Sequence, residues 1–297
     1  MPRPHWSHSS LNQFLRCPRQ WYLQRVLGLP RTSIPSGMVL GSAVHAALAE
    51  FHRGLRDDRK PDTKRMANAV AGAWEAEEDE GRTVTYKRGE SKDDQRELAV
   101  TLVGLAMDDP PGGRVLDVER RLTVPLYDSA GEQLDRPLVA VMDVVTADLP
   151  DGAEVGDRDA PDVTVHEIKT SGRAYSESEA ATSLQPTCYA HAAAEWYGGE
   201  PRVEFRVLVK TKTPKLQTLP AGRDAEDFGR LGDIARQVER AVEAGAFYPV
   251  ENPMNCFGCA WRKECREMPL VRHHRRDDGF DGVDGGCDRG EFPRIAA

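Results

Sequence analysis

At 297 residues, 39% hydrophobic and 30% charged, the chain is long enough to bury a full core and has the composition of an ordinary globular protein. No apolar run approaches the roughly 20 residues of a membrane-spanning helix, and the opening MPRPHWSHSS lacks the apolar centre of a secretion signal. The net charge of -8 excludes a uniformly basic nucleic-acid coat while leaving room for local basic grooves. The expectation is a cytoplasmic protein without membrane contact, in which clustered cysteines bind metal more often than they pair.

From Ser9 to Leu27 the residues Leu11, Phe14, Leu15, Trp21, Tyr22 and Val26 recur at helical spacing, with Ser9 and Ser10 as N-caps and Pro18 kinking or restarting the helix. Helices are expected over about 37–55, 63–80 and 92–107, a helical subregion of about 30–112. After the breaker DDPPGG, residues 115–127, 137–148 and 163–169 are rich in branched side chains and read as strands. An acidic, glycine-bearing loop over 149–161 joins the last two. A helix over 176–196, a strand over 203–212 and a helix over 224–244 complete a core of about 113–245. This order predicts an α/β fold, a central mixed sheet flanked by helices, in a single domain over 1–270 with a flexible, glycine-rich tail over 271–297.

Asp143 interrupts LVAVMDVV, which is apolar on both faces, so a carboxylate in a strand buried on both sides must find a cation or strong donors. In VTVHEIKT, alternation places Glu167 and Lys169 on one face and His166 and Ile168 on the other. Two acids and a lysine at one end of a sheet suit phosphodiester cleavage: the carboxylates hold Mg2+ or Mn2+, and the ammonium orients the nucleophile or offsets developing charge. The alternative is a buried salt bridge to Lys169. His45, in GSAVHAAL, is either a core histidine or a metal ligand. Gln185 and Tyr189 share a helical face if Pro186 lies in the first turn, and form either a polar-aromatic face or a DNA contact.

Cys17 near the start and Cys256, Cys259 and Cys265 in NCFGCAWRKEC near the end suggest a four-thiolate site stapling segments 9–27 and 250–268. The ion is zinc or an iron-sulfur cluster, and the gap between Cys259 and Cys265 is wide for paired zinc ligands. Cys188 reads as a packed free thiol and Cys287 has no assigned role. The stretch RVEFRVLVKTKTPKLQ offers Arg202, Arg206, Lys210, Lys212 and Lys215 to phosphates, or forms a solvated strand edge. The first helix likewise offers Arg16, Arg19, Gln20, Trp21 and Arg25 for phosphate contact or base stacking.

Taken in order, these motifs resemble the RecB-like, iron-sulfur branch of the PD-(D/E)XK nuclease superfamily, which includes CRISPR-associated spacer-acquisition exonucleases and the AddB nuclease domain. SSLNQFLRCPRQWY is similar to the family's first cysteine helix, GSAVHAAL to its G-x-x-x-H motif, AVMDVV to its first acid, VHEIKTS to its D/E-x-K strand and SLQPTCY to Q-x-x-x-Y; C-x2-C-x5-C completes the cluster signature. The resemblance spans about 7–268. It implies His45, Asp143 and Glu167 as Mg2+ or Mn2+ ligands and Lys169 as the catalytic lysine. It further implies a 4Fe-4S cluster on Cys17, Cys256, Cys259 and Cys265, with Gln185 and Tyr189 near the DNA. Glu119 matches an acid common at this point in the family and is a candidate accessory residue. Ala140 stands where the family often has glycine, and Glu167 where many relatives have Asp.

The implied activity is a metal-dependent DNA nuclease, chiefly an exonuclease on single strands or DNA ends, in repair or recombination or in CRISPR spacer acquisition beside a spacer integrase or a helicase. The alternative is a non-catalytic iron-sulfur DNA-binding or adaptor module of the same fold. Oligomeric state is not legible in the sequence.

Overall fold

The computed structural model describes residues 5–148 and 162–268. The acidic loop over 149–161 and the tail over 271–297, with Cys287, lie outside them. Ser7, not Ser9 or Ser10, caps α1 (His8–Arg16), its hydroxyl accepting the Ser10 N–H at 3.2 Å. Cys17 is extended, and Pro18 restarts the chain as α2 (Pro18–Trp21), which runs into a π-helical turn (Tyr22–Val26). Proline tolerates this first helical position because no intrahelical partner is lost there.

Then follow β1 (Ser33–Pro35), α3 (Ser36–Arg56), α4 (Thr63–Asp79), β2 (Thr83–Thr85), α5 (Lys92–Asp108), β3 (Arg114–Val124), β4 (Leu138–Ala147) and β5 (Val163–Ser171). After these come α6 (Glu177–Thr182), α7 (Leu184–Tyr197), β6 (Arg202–Val209), β7 (Lys215–Pro220), α8 (Ala225–Glu243), α9 (Pro253–Cys256) and α10 (Arg262–Glu267). The main sheet runs β3-β4-β5-β6-β7, parallel between β5 and β6 and antiparallel elsewhere, so the expected mixed sheet is present. Two further features depart from expectation. The helix read over 176–196 is two helices broken at Ser183, whose hydroxyl accepts the Gln185 N–H; Pro186, which cannot donate, sits in the first turn of α7. The strand read to residue 212 ends at Val209, and β7 returns antiparallel along it; half-buried, with only Leu216 and Leu219 apolar inside it, β7 carries a weak pattern.

The sheet has an apolar core on each side. Leu138, Ala140, Met142, Val145, Val163, Val165 and Val203 pack with α1, α7 and α8, while Val118, Val144, Ile168 and Leu208 pack with α3, α4 and α5. Strict alternation would keep Met142 and Val144 on one side, and Val118 and Leu122 likewise; instead each pair is split between the two cores. The side chains therefore change faces at Asp143 in β4 and at Glu119 in β3, where Glu119 adopts φ 52.

The two cysteine-bearing segments meet through hydrogen bonds. Asn255 Nδ2 donates to Arg16 O (3.0 Å), the Arg19 N–H to Tyr248 O (3.1 Å), Arg19 Nη2 to Met268 O (2.9 Å), and the Trp261 indole to Leu29 O (3.1 Å). In α8, a Cβ on Gly232 would lie 1.9 Å from the carbonyl oxygen of Tyr127, so the helix can approach that loop only with glycine here. Gly232→Ala should cost about 1–3 kcal/mol through overpacking, read as a lower urea midpoint with the slope unchanged.

Candidate active site

The β4–β5 ladder stops at Val144↔His166, one pair before Asp143 and Glu167 would face each other. Beyond it, Asp143 Oδ2 accepts the Ile168 N–H at 2.8 Å, and Oδ1 lies 3.1 Å from His45 Nδ1 on α3. The two strands part around a buried carboxylate pair. Asp143 and Glu167 are only 8% and 3% exposed, so both carry a large desolvation cost unless charge or donors compensate.

Their compensation differs. For Asp143, burial favours the neutral form, but the charge and hydrogen bond of His45, the Ile168 N–H and Lys169 outweigh it and hold the carboxyl below its usual range. His45 is likewise penalised by burial, yet Asp143 and Glu167 raise it to about 9. Glu167 goes the other way: burial and the Asp143 charge push it up, and Lys169 offsets only part of this. Its Oε1 accepts Lys169 Nζ at 2.5 Å and Gln185 Nε2 at 2.6 Å, while Oε2 is buried with no partner among the described residues. Burial lowers the proton affinity of Lys169, but Glu167 and Asp143 outweigh it and raise it, so it stays charged.

Glu119 enters from the neighbouring strand. It stands between Val118, paired with Val144, and Arg120, paired with Met142, and hence across from Asp143. Ligand atoms of His45, Glu119 and Asp143 all lie within 4.8 Å of one another, the one such group among the described residues. One imidazole and hard carboxylate oxygens suit Mn2+ or Mg2+. A cation beside them would also offset the Asp143 charge that pushes Glu167 upward, so the residues fit such an ion. Glu119 thus belongs with the first two ligands expected from sequence, and its left-handed backbone, costly for a non-glycine residue, turns the strand at this level.

Gln185 and Tyr189 are turned inward, each 7% exposed. Gln185 Nε2 bridges Glu167 and the Tyr189 hydroxyl (2.9 Å), so the pair orients Glu167. Arg223 in turn anchors the start of α7: its guanidinium donates to Thr187 Oγ1 (2.7 Å) and to the carbonyls of Ala180 (2.7 Å) and Ser183 (2.8 Å). Nothing in the sequence marks Arg223, because its partners are mainly backbone carbonyls brought near by folding. His8, at the start of α1, is lowered to about 4 by burial and the nearby Lys169 charge, and so is neutral beside that lysine.

The expected basic surfaces are largely consumed. Arg19, Gln20 and Trp21 are buried, and Arg206 is buried against Asp109 and Glu204. Arg202 pairs with Asp148 at 2.8 Å, and β6 lies inside the sheet rather than at its edge. Away from this centre, Cys17, Cys256, Cys259 and Cys265 line one small cavity. Cys17 Sγ accepts the Val250 N–H at 3.5 Å and Cys259 Sγ accepts Gln20 Nε2 at 3.6 Å. Cys188 is fully buried in the core, as expected.

A mixed sheet flanked by helices that opens between two strands around buried acids, an E-x-K lysine and a helix-borne histidine is the arrangement of a restriction-endonuclease-like α/β core. The chain belongs to the PD-(D/E)XK nuclease superfamily, whose family model matches residues 5–266. A crystal structure at 2.19 Å of a "Putative exonuclease" from Eubacterium rectale is similar in fold, with a TM-score of 0.50 and 11% identity over 91% of this chain and 90% of that one. The crystal structure of SSO0001 aligns over 85% of this chain and 92% of its own at 9% identity, with a TM-score of 0.33. No curated protein matches the sequence. Among the described residues, no helix is long and apolar enough to cross a membrane.

Two outcomes follow from the geometry of the acids. A cation must displace the protons that His45 and Glu167 hold more tightly than usual, so apparent Mn2+ affinity should rise as pH climbs from about 6 toward about 9. Calorimetry at pH 7 in buffers of different ionisation heat should show net proton release, and proton-neutral binding would remove both groups from the ligand set. Glu119→Gly should relieve about 1 kcal/mol of backbone strain while weakening Mn2+ binding. A higher thermal midpoint together with lost affinity is the expected pair.

Proposed function

We propose that the protein is a divalent-metal-dependent deoxyribonuclease, acting as an exonuclease on single-stranded DNA or DNA ends. The observation that carries this reading is the meeting of His45, Glu119 and Asp143 beside the Glu167–Lys169 pair, in the fold of a nuclease superfamily. His45, Asp143, Glu167 and Glu119 would hold Mg2+ or Mn2+. When bound, such an ion polarises the phosphate and acidifies water.

The chain's own groups do the rest. Lys169, kept charged by Glu167, supplies an ammonium for the negative charge that grows on the phosphoryl oxygens. Gln185 and Tyr189 hold Glu167 in one rotamer, and Ile168 and His45 do the same for Asp143. Such preorganisation limits the reorganisation required as the reaction proceeds.

The second centre is proposed to be a 4Fe-4S cluster on Cys17, Cys256, Cys259 and Cys265. The four thiols line one cavity, and the Cys259–Cys265 spacing is wider than the two to four residues usual between paired zinc ligands, which supports the cluster reading. Its work is mechanical, since it joins segments already tied by Asn255, Arg19 and Trp261. The setting, repair and recombination or spacer acquisition beside an integrase or a helicase, is decided by the genes adjoining this one.

Two variants separate the centres. Lys169→Ala should abolish cleavage of labelled single-stranded and double-stranded DNA in Mg2+ or Mn2+ while leaving the brown cluster absorbance and the fold intact. Cys17→Ala should lose that absorbance and stability first. Cleavage at the wild-type rate by Lys169→Ala would sink the assignment, and no cleavage by the wild type with either metal would point to a binding module.

A further inference from the structure

Lys210, a positive charge close to the active site, has no counterion among the described residues. Lys210 follows β6 directly, and its N–H donates to Ser171 O at 2.8 Å, so it sits just past the end of β5, three residues beyond the level of Lys169. Its side chain is half-buried, yet among the described residues no carboxylate lies within ion-pairing distance of it. Burial and the neighbouring Lys87 ammonium lower its proton affinity, against a weaker opposite pull from Glu90. Glu90 is otherwise engaged, its Oε2 accepting the Ser36 hydroxyl (3.0 Å) and the Lys87 N–H (3.2 Å) and its Oε1 lying 3.9 Å from the Lys87 ammonium. Keeping an ammonium partly desolvated beside a like charge is costly, and such an arrangement is offset by an anion that arrives from outside.

The position of Lys210 relative to the acids is defined from two sides. Along α3, residues four apart meet successive groups of the sheet: a Cβ on Gly37 would lie 3.2 Å from Lys210 Nζ, one on Gly41 would lie 3.4 Å from Thr170 Oγ1, and His45 Nδ1 is 3.1 Å from Asp143. A little over two helical turns separate the first from the last, about 12 Å. Along β5, three residues from Lys169 give about 10 Å. Both routes describe one track, from the carboxylates past Thr170 to Lys210 and Lys87.

We propose that Lys210, with Lys87 beside it, binds a backbone phosphate of the DNA strand at about 10–12 Å from the phosphodiester held at the acids, a few nucleotides along the strand. This site rests on the nuclease reading for its ligand, and it deepens that reading by setting a minimum length for a well-bound strand. It also explains why Lys210 remains available when Arg202 and Arg206 are taken up by carboxylates.

The test is fluorescence anisotropy with the full chain, Ca2+ in place of Mg2+ and a labelled single-stranded octathymidylate. Lys210→Ala and Lys87→Ala should each weaken binding about five- to tenfold, and Lys210→Ala should reduce the slope of log affinity against log salt by about one, while Lys210→Arg retains most affinity. With a labelled dinucleotide, too short to reach the track, wild type and Lys210→Ala should bind alike. Equal octamer affinity and salt slope for wild type and Lys210→Ala overturns the site, as does an equal loss on the dinucleotide, which would indicate a general disturbance of the fold. Cleavage by the wild type with Lys210-independent binding would fail this site and spare the nuclease reading. Lys210-dependent binding without cleavage in either metal would do the reverse.

Discussion

Two carboxylates buried side by side within a sheet repel each other in a medium that solvates neither, and much of this structure answers that constraint. Asp143 is compensated by a histidine from α3 and an amide from β5, and Glu167 by a lysine on its own strand and a glutamine from α7. The compensation is incomplete, because one Glu167 oxygen has no partner among the described residues and the carboxyl is pushed upward. A fully satisfied pair would be a structural salt bridge. An incompletely satisfied one, with a third acid within ligand distance, is a place where a cation lowers the energy of the folded chain.

The sheet bends to make this possible. Side chains change faces in β3 and β4 at the same level, and the β4–β5 ladder ends there, so Asp143 is free to meet His45 of α3 and the Ile168 amide of β5. Glu119 carries the backbone strain of this turn. Strain kept at a site is tolerated when the surroundings fix it, and here α3 and α7, packed on opposite faces, do so. Gln185, Tyr189 and Arg223 extend the same support outward from Glu167 to the corner between α6 and α7.

Motif spacing carried much of the site. The apolar run around Asp143 required a partner, the alternation in VHEIKT placed Glu167 with Lys169 and Ile168 opposite, and the helical period placed Gln185 with Tyr189; the structure has all three arrangements. It was less informative where tertiary contact outweighs local pattern. Arg19, Trp21 and Arg206 look like a surface for DNA in one dimension, yet they are buried, because each finds carbonyls, carboxylates or aromatic rings contributed by distant segments. The strand β7 escaped notice because a half-buried edge needs few apolar residues.

What the sequence by itself determined was chemistry and order: which residues carry charge, which face of each strand or helix they share, and that four thiols flank the whole core. These follow from side-chain type and from periods of two and 3.6, which are local properties. Only the tertiary structure decided that Glu119 joins His45 and Asp143, that Gln185 and Tyr189 serve Glu167 from within, and that Lys210 lies on the track to the acids with no counterion among the described residues. Each of those depends on where a strand changes faces or which charge finds a partner, and such outcomes are set by packing between segments far apart in the chain.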